Sequence, residues 1–167
     1  MDLQRLARHL LSTPWRVRRA FPATALAEIE AAVAAAESTH GGEIRFAVED
    51  ALEPWALLRG QTPRERAVEV FSQLRVWDTQ DNNGVLIYLL LAERAIEIVT
   101  DRGLGRHADT AHWQRVMTAM REAFRAGQFE AGLNQAVDAV DALLTQHFPL
   151  AHGQVNPNEL SNAPVVR

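Results

Sequence analysis

The sequence predicts one α/β domain in which a small mixed sheet carries helices on its faces. Segments that alternate apolar and charged residues, as strands do, are interleaved with segments whose apolar residues recur at helical spacing. A length of 167 residues is enough for one hydrophobic core and too short for two ordinary domains. The hydrophobic and charged fractions, 47% and 23%, are typical of a globular protein that folds in water.

A basic N-terminal segment, residues 1–22, precedes the main domain and carries five arginines in its first twenty residues. Leu3, Leu6 and Leu10 share one face of a short amphipathic helix there. Two interpretations stay open: the helix packs against its own domain, or it lies on an anionic membrane surface. No apolar run in this segment is long enough for a signal peptide or a membrane span. The sequence therefore predicts a cytoplasmic protein without a transmembrane segment.

The main domain, residues 23–149, begins with a helix and a strand. Apolar residues recur at helical spacing between residues 26 and 36, and the glycine pair that starts at Gly41 ends this helix. Residues 43–49 alternate apolar with charged side chains, which predicts a strand with one buried face. Residues 50–61 have no clean period and are predicted to be a loop.

The next part of the chain predicts a β-hairpin. Residues 84–91 are nearly all apolar, which is typical of a central strand covered on both faces. A tight turn near Glu93 and Arg94 leads into residues 95–100, which alternate again and form the returning strand. A turn at that point places Asp101 opposite Leu86.

Three further helices are predicted from their start signals and apolar spacing. Thr62 and Glu65 form a capping-box pattern at the start of one, and Asp109 caps a second that Gly127 ends. The last helix presents one apolar face toward the core, formed by Phe129, Leu133, Val137, Val140 and Leu144. Residues 150–167 have no period and are rich in Asn and Pro, which predicts a flexible tail.

Six polar residues are expected to meet at one end of the sheet. The first two strands are predicted to be parallel, so their starting ends lie together, and the hairpin returns the end of the third strand to the same place. Carboxylates and carboxamides are the oxygen donors that calcium and magnesium prefer. The candidate metal ligands are Glu43, Asp78, Asp81, Asn82, Asn83 and Asp101. The alternative is that these side chains bond only to the local backbone and shape the entry into the strand.

Other kinds of site have less support in the sequence. An EF-hand aligned on Gly84 would need acidic oxygens at Thr79 and Leu90. His40 and His107 lack zinc-ligand spacing, and the chain has no cysteine. GxSxG, phosphate-loop and dinucleotide motifs are absent from the sequence. A net charge of -4 gives no general reason to expect nucleic acid as a partner.

Two segments resemble the TPM domain family, also called the TPM phosphatase domain. They are NNGVLIYL, from Asn82, and GQFEAGL, from Gly127. The similarity extends from about Ala25 to Pro149, which is most of the chain. It implies a Rossmann-like, three-layer α/β/α sandwich, together with calcium binding, weak acid phosphatase activity and a part in the assembly or repair of membrane protein complexes.

The resemblance also bears on particular residues. Asp81, Asn82, Asn83 and Gly84 match the family's D-N-G-V-L loop. The family has a GxGxE stretch after the third strand, whereas this chain has DRGLG, beginning at Asp101. The family's glutamate is therefore absent, and neither its ligand set nor its phosphatase activity carries over intact.

Three functions remain open on the sequence. The first is a binding module that holds calcium or magnesium and docks on a protein partner, with a membrane-associated partner as one option. The second is a metal-assisted phosphatase with Asp101 and Arg102 as candidate catalytic residues. The third is a metal-free interaction domain. The first is favoured, because the candidate ligands lie at the starting ends of the parallel strands, whereas ligands of α/β enzymes bind at the opposite ends.

Overall fold

The computed structural model describes residues 3–12, 14–107 and 109–167, without the side chains of Pro14, Phe129 and Glu130. The predicted core position of Phe129 therefore lies outside the described residues. The strands are β1 (Glu43–Glu49), β2 (Gly84–Leu90), β3 (Ala95–Thr100) and β4 (Val165–Val166). The helices are α1 (Leu3–Leu10), α2 (Pro14–Ala20), α3 (Ala23–Glu37), α4 (Pro54–Leu58), α5 (Pro63–Gln73), α6 (Arg102–Gly105), α7 (Thr110–Arg125) and α8 (Phe129–His147).

The sheet is mixed, and its strand order is β3-β2-β1-β4. β1 pairs in parallel with both β2 and β4, whereas β3 runs antiparallel to β2. The predicted parallel pair and the predicted hairpin are therefore confirmed. Short α4 interrupts the stretch that was predicted to be a loop.

The register of the hairpin differs from the prediction by two residues. A 3₁₀ turn occupies Leu91–Glu93, and Leu90 pairs with Ala95. The turn therefore lies earlier in the chain than predicted, and Arg94 enters β3 in the left-handed conformation, with φ 51°. Asp101 consequently lies beside Gly84 rather than Leu86, and its backbone N–H donates to the Gly84 carbonyl at 2.9 Å.

Helices cover both faces of the sheet, which confirms the α/β/α sandwich. Along β2, Val85, Ile87 and Leu89 pack into a cluster with apolar side chains of α3, α7 and α8, which we call the first face. The alternate residues of β2 pack into a second cluster with α4 and α5, which we call the second face. Every residue of β2 is buried, as expected for a central strand.

The charged side of β1 is buried as well, although the sequence predicted only one buried face. Glu49 accepts two hydrogen bonds from Arg66 of α5, at 2.7 and 2.8 Å, and one from the Tyr88 hydroxyl at 2.5 Å. Arg45 donates to the Ala163 carbonyl at 3.2 Å. Because α5 and the C-terminal residues cover this side, each charged group there is paired within the protein rather than solvated.

The C-terminal segment differs from the loose tail predicted for it. Its last residues form β4 and pair with Ala47 and Val48 at the edge of β1. Upstream, the Asn156 carboxamide donates to the carbonyls of His40 and Gly42, at 2.9 and 3.0 Å. A two-residue strand is too short to show a period in the sequence, and it forms because the edge of β1 presents unpaired backbone groups.

Glu43 holds this segment against the sheet. Its two carboxylate oxygens accept hydrogen bonds from the backbone N–H groups of Glu159 and Leu160, each at 3.0 Å. We expect Glu43→Ala to lower the free energy of unfolding by about 1–3 kcal/mol, because two amides lose their acceptors. Amide hydrogen exchange of residues 159–160 should accelerate in the variant.

The matched control for this prediction is Glu28→Ala, since Glu28 is exposed on α3. That variant should keep wild-type exchange at residues 159–160 and nearly wild-type stability. Unchanged protection of these two amides in Glu43→Ala would show that the carboxylate does not anchor the segment.

Helix α1 packs on the second face and against the hairpin turn, whereas α2 contributes Val17 to the first-face cluster. Among the described residues, no helix has the length and apolar character needed to cross a membrane. Leu6 is partly buried against the second face, but Leu3 and Leu10, which were predicted to share its packing face, are 68% and 60% exposed. The helix turns its polar side inward instead, because Arg5 and His9 bond to the domain.

Candidate functional site

The loop before β2 carries four of the six predicted ligands. The backbone of Val76 lies close to Gly84, at the end of this loop. A Cβ on Gly84 would lie 1.9 Å from the carbonyl oxygen of Val76. Asn82 adopts a left-handed conformation, with φ 54°, which asparagine tolerates better than most residues. Asp78 and Asp81 are exposed. The loop therefore exposes the carboxylates of Asp78 and Asp81 to solvent beside the start of β2.

Asp101 is the buried carboxylate of this region, with only 6% of its surface exposed. Its Oδ1 accepts a hydrogen bond from the Arg102 backbone N–H at 2.7 Å and caps α6. Its Oδ2 is buried and has no hydrogen-bond partner among the described residues. A buried carboxylate oxygen without a donor is energetically costly, and it marks a position where a cation or water would be stabilised.

Asn83 carries a second unpaired oxygen. This side chain is fully buried, and its Nδ2 donates to the Gly41 carbonyl at 2.9 Å. Its Oδ1 is buried without a partner among the described residues. Alternation along the strand places Asn83 on the same side as Val85, the first face. Thr79, which is not among the predicted ligands, accepts from the Asn83 backbone N–H through its hydroxyl at 3.1 Å.

The segment after β3 packs directly on the loop before β2. The Gly103 backbone N–H donates to the Asn82 carbonyl at 2.8 Å. A Cβ at Gly103 would lie 2.5 Å from that carbonyl oxygen and 2.6 Å from the Asp81 carbonyl oxygen. One guanidinium nitrogen of Arg102 lies 3.4 Å from Asn82 Oδ1, although the Arg102 side chain is 84% exposed. The backbone of Asp81 and Asn82 therefore packs against the segment that directly follows Asp101.

The other predicted ligands have separate surroundings. Both oxygens of Glu43 accept backbone hydrogen bonds from the C-terminal segment. Burial raises the pKa of the Glu43 carboxyl above its ordinary value. Asp78 lies in the exposed part of the loop, where its backbone N–H donates to the Arg75 carbonyl at 2.9 Å.

The two histidines considered as additional ligands have neighbours of their own. The buried His40 ring accepts from the Gly42 N–H through Nδ1 at 3.1 Å, and its Nε2 lies 3.5 Å from Asp141. Burial lowers the pKa of His40. His107 stacks on His147 with ring centroids 3.9 Å apart. Within the described part of the chain, no three His, Asp or Glu side chains form a group that could hold a metal ion.

Glu37 at the end of α3 is a buried acid that sequence reasoning missed. Its Oε1 accepts from the Ile44 backbone N–H at 2.7 Å, and its Oε2 is buried without a partner among the described residues. Burial raises the pKa of this carboxyl to about 8. Nothing in the local pattern distinguishes Glu37 from the exposed glutamates of the same helix, because its burial depends on the C-terminal segment and β1.

The fold and this polar sheet end define a small α/β/α domain with oxygen donors at the starting ends of its parallel strands. The chain belongs to the TPM domain family, whose model matches residues 19–143. This confirms the family suggested by the two short sequence segments. No curated protein matches the sequence.

Two solved structures resemble the chain. One is the NMR structure of the BA42 protein from the psychrophilic bacterium Bizionia argentinensis, with 26% identity, a TM-score of 0.70, and coverage of 90% of this chain and 94% of that chain. The other is the N-terminal domain of a protein from P. gingivalis, with 22% identity, a TM-score of 0.62, and coverage of 79% and 83%. The second likeness concerns the fold alone.

Proposed function

We propose that this TPM domain is a binding module that holds a divalent cation, calcium or magnesium, at the end of the sheet beside Asp101. The observation that carries the proposal is the buried Asp101 Oδ2 atom, which has no hydrogen-bond partner among the described residues. The Arg102 guanidinium lies 3.9 Å from the other oxygen, Oδ1, and a bound cation would supply the partner that Oδ2 lacks. The neighbouring loop carries carboxylate and carboxamide oxygens, which suit a hard cation.

The proposed ligand set centres on three of the six residues predicted from the sequence. Asp101 supplies the buried carboxylate, and the exposed carboxylate of Asp81 and the oxygens of Asn82 lie in the loop against Gly103. Calcium accepts carboxamide, carbonyl and water oxygens beside carboxylates, so three acidic side chains are not required. Glu43 is left out, because both of its oxygens already accept from backbone amides.

The surroundings of this site favour binding over catalysis. An open site with few protein charges leaves coordination positions for water or for an acidic group of a second protein. In that arrangement the cation bridges the domain and its partner, which fits a role in the assembly or maintenance of a protein complex. A phosphatase has less support: Asp101 is engaged as a helix cap, and the Arg102 side chain is largely in solvent.

Asp101→Asn tests the cation site without removing the helix cap, since asparagine caps helices as well as aspartate does. We expect chelator-treated wild-type protein to gain thermal stability as calcium or magnesium is added, because the cation binds only the native state. The variant should bind at least about tenfold more weakly, because the buried charge is gone. Calorimetric titration with each metal gives the affinity.

Asp109→Asn is the matched control. Asp109 caps α7 through a 2.6 Å hydrogen bond from the His112 N–H, so the same substitution is made at another helix cap. This control should keep the wild-type metal response. The proposal would be contradicted if neither metal bound to the wild-type protein or raised its thermal stability. It would also be contradicted if the Asp101→Asn variant bound the metals as the wild type does.

A further inference from the structure

The first two helices expose an apolar surface beside arginines. Along α1, Leu3 and Leu10 lie on one side of the helix, and Leu11 follows directly after it with 78% of its surface exposed. Trp15 of α2 is 62% exposed, and the Arg19 guanidinium lies 5.2 Å from its ring centroid. Residues 3–20 contain no Asp or Glu. Large exposed apolar side chains grouped in this way mark an interaction surface.

The polar side of α1 explains why Leu3 and Leu10 point outward. The Arg5 guanidinium bonds to Glu93 at 2.7 Å, and His9 Nε2 lies 3.0 Å from the same carboxylate oxygen. The other ring nitrogen of His9 accepts from the Leu52 backbone N–H at 2.9 Å. These bonds fix the orientation of the helix on the domain, so the exposed leucines belong to the folded state.

A groove of about 590 Å³ lies next to these helices, between α2, the hairpin turn and α7. Apolar atoms of Leu91, Ile96 and Phe124 line it. Glu93 also lines it, but its carboxylate is engaged by Arg5 and His9. Four arginines also line the groove, namely Arg16, Arg94, Arg121 and Arg125. Positive charge is therefore in excess there, and the size suits a bound headgroup or small ligand.

The groove and the proposed cation site lie at opposite ends of the sheet. The groove is beside the turn where β2 ends, whereas Asp101 pairs with Gly84, where β2 begins. Seven residues of strand separate the two ends by roughly 20 Å. The end of β2 is also where open α/β sheets usually bind ligands.

We propose that the surface formed by α1, α2 and the arginine groove docks on an anionic lipid membrane. Lipid phosphate groups occupy the arginine groove, and Leu10, Leu11 and Trp15 enter the interface between headgroups and acyl chains. A lipid surface fits these observations better than a soluble anion. A soluble anion would bind only the arginines, and it would leave the apolar side chains of Leu10, Leu11 and Trp15 exposed to water. Docked in this way, the domain holds Asp101 and its loop away from the membrane.

Sedimentation with lipid vesicles tests the docking surface. The full chain should bind phosphatidylglycerol vesicles and should not bind phosphatidylcholine vesicles, and added salt should weaken the binding. Chelator is present throughout, so the result does not depend on the proposed cation site. Free glycerol phosphate serves as a soluble probe of the groove in a parallel titration.

Two double variants separate the apolar and the charged contributions. Leu10→Glu/Leu11→Glu and Arg94→Glu/Arg125→Glu should each reduce vesicle partitioning by roughly tenfold or more. The control Arg75→Glu/Val155→Glu changes one arginine and one apolar residue that are exposed elsewhere, and it should bind as the wild type does. All the changed residues are exposed, so thermal melts should show that each variant is folded.

The outcomes distinguish the lipid surface from its alternatives. Equal binding to both kinds of vesicle, or wild-type binding by both double variants, overturns the proposal. Binding of glycerol phosphate without binding to phosphatidylglycerol vesicles also overturns it, and assigns the groove to a soluble phosphate compound. Loss of binding in the double variants but not in the control supports the lipid surface.

Discussion

Replacing Gly84 by alanine is expected to destabilise the protein more than any other single methyl addition at a described glycine. The added Cβ would lie 1.9 Å from the backbone oxygen of Val76. A Cβ added at any other described glycine would be farther from its nearest neighbouring atom. A backbone carbonyl cannot rotate away as a side chain can, so the loop before β2 must shift. We expect a loss of about 3 kcal/mol or more in the free energy of unfolding.

Chemical denaturation of Gly84→Ala beside Gly105→Ala measures this effect. A Cβ on Gly105 would meet only the Thr100 hydroxyl at 3.4 Å, so the control should stay within about 1 kcal/mol of wild type. Gly84→Ala should also weaken any cation response, because the displaced loop carries Asp81 and Asn82. Equal stability of the two variants would show that the loop does not approach β2 as closely as described.

Glu37→Gln is expected to remove a large pH dependence of stability. Glu37 is 4% exposed, and burial raises the pKa of its carboxyl from 4.5 to about 8. Between these two values the native state binds a proton that the unfolded state has released. The contribution of Glu37 to stability is therefore fully present below pH 4.5 and is lost as the pH rises through about 8.

Glutamine keeps the carbonyl oxygen that accepts from the Ile44 N–H, and it carries no charge at any pH. The variant should therefore not show the loss of stability between pH 4.5 and about 8, which is on the order of a few kcal/mol in the wild type. Urea unfolding at a series of pH values from 4 to 9 measures the difference.

Glu28→Gln provides the control for Glu37→Gln, because Glu28 is an exposed acid on the same helix. This variant should follow the pH dependence of the wild type. If Glu37→Gln also follows it, Glu37 is ionised in the native protein at neutral pH, and the buried environment described for it is wrong.

The local elements of this domain were predictable because their signals lie within a few residues of one another. The Thr62 and Glu65 capping box starts α5 as predicted, with both of its hydrogen bonds formed. Asp109 caps α7, and the apolar run from Gly84 forms the buried central strand. The convergence of the loop before β2 and the end of β3 also followed from the sequence, because strand direction alone brings these ends together.

The sequence alone thus determined the α/β class, the parallel and antiparallel strand pairs, the helix starts and the family. The tertiary structure decided which polar groups are used and how. It paired both oxygens of Glu43 with backbone amides and left one oxygen of Asp101 unpaired. It also buried Glu37 and exposed Leu3 and Leu10 of α1. The two-residue β4 depends in the same way on the open edge of β1. Periodicity records which face of an element is apolar, but hydrogen bonds between residues distant in the chain decide which polar groups are satisfied, and only the folded arrangement supplies their partners.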